Sequence, residues 1–123
     1  MNRVYPSPTL APVAYDEDLA QRVRDVIATR DEITEKRMFG SNCFLVQGNL
    51  AVCVRLDELL VRLDPADAEK AISEEGVRFA EMGPQKRRMK GWVFVSAERL
   101  SDDAGVSDWV DAGAGYAASL PAK

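Results

Sequence analysis

The chain has 123 residues, 46% of them hydrophobic and 29% charged, with a formal net charge of −4 and no histidine. That length suits one domain, and the acidic balance speaks against a wholly electrostatic nucleic-acid binder. The missing histidine removes Ser-His-Asp and Cys-His catalysis and histidine metal sites together.

Two cysteines are too few for a disulfide framework. No uncharged run approaches the roughly 20 apolar residues of a membrane span. The opening MNRVYPSPTLAPVAY has prolines at 6, 8 and 12 and no apolar stretch of the secretory kind. The expectation is a cytoplasmic protein that does not engage a membrane.

In chain order, residues 1–14 read as an extended, proline-rich arm, residues 15–120 as one domain and 121–123 as a tail. A helix is predicted from near Asp16 to 30–32. Asp16, Glu17 and Asp18 suit its N-terminal dipole, and Leu19, Val23, Val26 and Ile27 share one face. Strands follow at 33–39, 43–47 and 50–55, with 59–63 as a further candidate. Gly48-Asn49 reads as a two-residue hairpin turn. That turn would set Cys43 opposite Val54 and Cys53 opposite Phe44, so the sulfurs would lie on opposite faces, unpaired.

Asp64-Pro65 reads as the cap and first residue of a short helix ending at Gly76. A weak strand at 77–79, the loop EMGPQKRR and a strong strand at 89–96 come next. The last helix is predicted from Ser101, with Val106, Trp109, Val110, Gly113, Ala117 and Leu120 along its apolar stripe. Trp109 is therefore expected in the core, and Trp92 is expected to be less buried.

The fold class is two-layer α+β: an antiparallel sheet with helices on one face, ordered helix, three strands, helix, two strands, helix, with 59–63 as an extra strand. KRMFGS at 36–41 and RRMKGW at 87–92 echo each other, but their surroundings differ in length and order, so they are not an internal repeat.

Neither a P-loop, a G-x-S-x-G elbow nor a metal-ligand cluster occurs in the sequence, and Asp57, Asp64, Asp102, Asp103, Asp108 and Asp111 occupy turn, cap and exposed-helix positions. Lys86, Arg87, Arg88 and Lys90 concentrate positive charge in an acidic chain. They read either as a nucleic-acid contact or as a solvated loop neutralised by the aspartates of the last helix. KGWVFV partly matches the strand signature of the RNA-recognition motif, but the element order is wrong for that fold.

The segments EKRMFG, LLVRLDP and MKGWVFV, preceded by the helix AYDEDLAQRVRDVIA, resemble the N-terminal domain of the TfoX/Sxy family, whose namesakes are bacterial regulators of natural competence. The resemblance covers residues 15–120 and departs at Ser41, where the family motif R-M-F-G-G has its second glycine. It implies a compact α+β fold of the order given above, without established catalysis or a cofactor, and a stand-alone N-terminal-type domain.

On this reading the two R-M-x-G segments are edges of one surface formed by Arg37, Phe39, Gly40, Arg62, Lys90, Gly91 and Trp92. That surface would take an unidentified protein partner or a second copy of the chain. Met38 and Met89 read as core filling. The alternatives are weak nucleic-acid binding through Lys86, Arg87, Arg88 and Lys90, or an enzyme acting on a small anion held by Arg37, Arg62 and Lys90. No metal or cofactor is expected.

Overall fold

A computed structural model of the protein describes residues 15–30, 32–38, 40–82 and 84–123, apart from the side chain of residue 82. The expected arm at 1–14 and the candidate Phe39 lie outside the described residues.

Helix α1 spans Glu17–Ile27. It starts where it does because the Asp16 carboxylate accepts hydrogen bonds from the amides of Asp18 (2.9 Å) and Leu19 (3.1 Å), satisfying donors that the first turn leaves free. Four antiparallel strands follow: β1 Ile33–Met38, β2 Ser41–Val46, β3 Asn49–Arg55 and β4 Glu58–Arg62. The fourth is a full member of the sheet. Helix α2, Pro65–Ala71, begins at Asp64, whose carboxylate accepts from Ala66 N at 2.9 Å, with Pro65 in the first turn. Strands β5 Val77–Met82 and β6 Arg87–Val95, a short 3-10 helix at Ala97–Leu100 and helix α3, Asp103–Ser119, complete the chain.

The sheet order is β1-β2-β3-β4-β6-β5, antiparallel throughout. The last strand thus lies inside the sheet, and β1 and β5 form its edges. Phe44, Val52, Leu59, Val61, Val93 and Val95 on one face pack with Leu19, Val23 and Ile27 of α1, Ala68 of α2 and Val106, Val110 and Ala114 of α3 in a single core. The alternation of these positions along each strand explains the two-layer architecture.

Four local expectations need correction. Helix α2 ends with Ile72 as its C-cap, and Gly76 (φ +84°) lies in the turn into β5, where an added Cβ would stand 2.7 Å from Ser96 Oγ. The basic run is largely strand: Arg87 and Arg88 open β6, paired with Met82 and Glu81. Trp109 is half-buried like Trp92, because α3 presses Val106, Val110, Gly113, Ala114 and Ala117 inward and leaves Trp109 at its flank, with the Arg99 guanidinium 6.0 Å from its ring centroid.

The fourth correction is the largest. The β2–β3 turn is Gln47-Gly48, at φ +53° and +84°, the positive-φ pair of a tight hairpin. Moving the turn one residue earlier shifts the register by two. An irregularity between Phe44 and Leu45 restores one. A net slip of one exchanges faces, so Cys43 pairs directly with Cys53 and their sulfurs lie 2.7 Å apart.

Glu35 on β1 ties the sheet to α1. Its carboxylate accepts from Arg24 Nε at 2.7 Å and from Asn42 Nδ2 at 2.8 Å. The Arg24 hydrogen bond, opposed by partial burial and reinforced by Asn42, holds the Glu35 carboxyl below the usual carboxylate range. A depressed folded pKa contributes stability that is fully present above the unfolded value of about 4.3 and is lost as pH falls through the folded value. Because both partners are about a third exposed, we expect about 0.2–1 kcal/mol from the pair. Urea melts should show Glu35→Gln less stable than wild type at neutral pH, with the two converging as pH falls below the ordinary carboxylate range. Parallel pH profiles would contradict this assignment.

Candidate functional site

The sheet face away from the helices carries its own apolar surface. Cys43, Cys53, Ala80 and Phe94 are buried yet stand outside the helix-side core. Together with Met38, Leu50, Leu60, Met89 and Trp92 they line a cavity of about 400 Å³, with Ser41, Arg55 and Glu81 as its polar members. Every strand contributes at least one residue.

The two R-M-x-G segments meet here through their methionines. Met38 and Met89 are both half-buried and both line the cavity. Reading them as core filling missed this, although the residue shared by the two motifs was the available signal. Leu50, Arg55, Leu60 and Phe94 were also missed as site residues. Arg55, Leu60 and Phe94 alternate with the core residues Val54, Val61 and Val93, whereas Leu50 shares their face only through the irregularity between Phe44 and Leu45.

The other predicted residues do not form one cluster. Trp92 lines the cavity, and its Cα partner is Arg62. The Arg62 guanidinium lies 5.3 Å from the Trp92 ring centroid and 5.7 Å from that of Tyr116 on α3, so it bridges the two aromatic rings. Arg37 belongs to the opposite face. It shares the face of Glu35, pairs with Asn42 and lies 5.7 Å from the Tyr15 ring centroid. Arg37 and Arg62 also sit on strands three spacings apart, about 14 Å. The constellation of Arg37, Arg62 and Lys90 therefore does not converge on one small anion.

Gly40 and Gly91 hold left-handed backbone, at φ +77° and +82°. Gly91 is buried, and its carbonyl accepts from Leu63 N at 2.6 Å. An added Cβ would lie 2.7 Å from the Leu63 carbonyl oxygen, so this glycine is a close-approach position between β6 and the segment entering α2.

Lys86, Arg87, Arg88 and Lys90 are exposed. Arg88 lies 4.6 Å from the Phe79 ring centroid. Among the described residues the ion pairs are Arg22–Asp103, Arg24–Glu35, Arg78–Glu58 and Arg99–Glu74, none of which involves the basic run. The aspartates of α3 thus do not neutralise it within the chain. Among the described residues no three His, Cys, Asp or Glu side chains gather as a metal-ion cage, and no helix is long and apolar enough to cross a membrane.

The comparisons with known proteins agree with this architecture. The family model described as the TfoX N-terminal domain matches residues 25–117, from the last turn of α1 through most of α3, and so includes all six strands. No curated protein and no solved structure matches the chain. With that match covering most of its length, the chain belongs to the TfoX N-terminal domain family.

Proposed function

We propose that the protein is a small cytoplasmic regulatory module, of the kind found at the N-terminus of competence regulators, that binds a protein partner on the helix-free face of its sheet and carries out no catalytic step. The observation that supports this most is the cavity shared by both R-M-x-G segments, with Met38, Met89, Trp92 and Phe94 among its lining and Arg55 at its polar side. Tryptophan and arginine are favoured interface anchors, and methionine adapts its shape to an apolar partner.

The test is affinity capture from the native cell, with and without nuclease. Wild type should retain a nuclease-resistant protein species, and Trp92→Ala, verified as folded, should lose it. Capture of a second copy of the chain through the same residue would identify a homodimer as the partner.

A second reading is favoured by one observation, the exposed cations Lys86, Arg87, Arg88 and Lys90. Used for nucleic acid, they allow at most a log–log salt slope of about −3.6 on duplex DNA. In that case nuclease would release the captured material, and replacing all of them with Ala would abolish capture while Trp92→Ala would not.

A further inference from the structure

We propose that Cys43 and Cys53 form a dithiol modification site, oxidised by a small peroxide to an intramolecular disulfide that crosslinks β2 to β3. The inference stands on the hairpin register and the cavity and is independent of the partner reading.

Three observations carry it. First, the residues are direct Cα partners in an antiparallel pair. Such partners lie about 4.5–5.5 Å apart, inside the span of about 4.4–6.8 Å that a disulfide bridges. The backbone is therefore already placed for the bond. Second, both thiols are free and their sulfurs are in contact at 2.7 Å, Cys53 donating to Cys43. Third, each residue is only 3% exposed, yet both line the cavity of the helix-free face. A route of that kind favours a small oxidant such as hydrogen peroxide over a bulky disulfide.

The two sulfurs are not equivalent. The S–H of Cys53 holds the Cys43 thiol below its ordinary range, whereas the shared hydrogen bond and burial push Cys53 up. Cys43 is also the acceptor sulfur of the pair, taking the S–H of Cys53.

Cys43 is therefore the sulfur attacked first. Its thiolate takes one peroxide oxygen, the O–O bond breaks, and the departing hydroxide leaves as water with the thiol proton. Cys43 becomes a sulfenic acid. The Cys53 sulfur then attacks the Cys43 sulfur, the S–O bond breaks, and a second water leaves carrying the Cys53 proton. Two electrons pass from the dithiol to the peroxide, and a dithiol reductant reverses the bond by exchange.

The experiment treats the full chain with hydrogen peroxide, quenches it with catalase, and alkylates it under denaturing conditions before mass spectrometry. Wild type should lose both alkylation sites, show a mass lower by two hydrogens, remain monomeric and yield a linked peptide pair containing residues 43 and 53. In Cys53→Ser the reaction should stop at a Cys43 sulfenic acid trapped by a dimedone probe, while Cys43→Ser should give little trapping. Full alkylation of peroxide-treated wild type, or a disulfide-linked dimer in place of the internal bridge, would overturn the proposal. Equal trapping in the two single variants would overturn the assigned order of attack.

Discussion

Replacing Phe44 with Ala should lower the unfolding free energy by about 3–5 kcal/mol. Phe44 heads the largest fully buried side chains and is 0% exposed. It sits on β2 opposite Val52 of β3, facing the helices. Truncation removes its transfer free energy and leaves a cavity that neighbours on two layers cannot fill without moving. Against a typical total of about 5–15 kcal/mol, the variant loses a large share of its stability. Urea denaturation followed by circular dichroism measures the loss. A cost below about 1.5 kcal/mol, the range of a mild volume change, would mean that Phe44 is not at the centre of the core.

The second large effect is a difference in sign between two glycines of one helix. At Gly113 an added Cβ would stand 2.7 Å from the Ala51 carbonyl oxygen and 2.8 Å from Val52 Cγ1. Helix α3 therefore touches β3 backbone to backbone at this point. At Gly115 an added Cβ meets nothing within 4 Å. Changing glycine to alanine inside a helix is worth about 0.8–1 kcal/mol in propensity. Gly115→Ala should gain most of that. Gly113→Ala gains it too, but overpacking costs about 1–3 kcal/mol, and a carbonyl oxygen cannot rotate aside as a side chain can. A bulkier Gly113→Val adds atoms where none fit and should cost more again. Thermal melts of the three variants decide the matter: stabilisation by Gly113→Ala would contradict the close docking of α3.

Much of this fold was legible because it rests on local chemistry. Asp16 and Asp64 accept amide hydrogen bonds at the helix starts expected for them, as capping residues do, and Asp102 caps α3 one residue after the expected start at Ser101. The stripe of α1 and most of the stripe of α3 face inward as their periodicity implies. Misreadings arose where a distant contact decides a local choice. Asn49 belongs to β3, and its side-chain amide donates to the Pro121 carbonyl at 2.9 Å, while Lys123 N donates to the Gln47 carbonyl at 2.9 Å. These contacts, 72 residues apart for Asn49 and Pro121, fit a turn at Gln47-Gly48 and lie outside the local pattern used to place it. The irregularity between Phe44 and Leu45, and not the two-residue shift of the turn, reversed the cysteine parity and put Leu50 on the face of Cys53 and Leu60. For the candidate site, Trp92 could be found from composition alone, but the separation of Arg37 from Arg62 depends on strand order.

The helix-free face is the proposed partner-binding surface. The most direct measurement places a photoreactive phenylalanine analogue at position 92, on that face, or at exposed position 118 on α3, followed by irradiation in the native cell. A partner seated on that face should give a discrete protein adduct from position 92 and none from position 118. An adduct from position 118 with none from position 92 would contradict it.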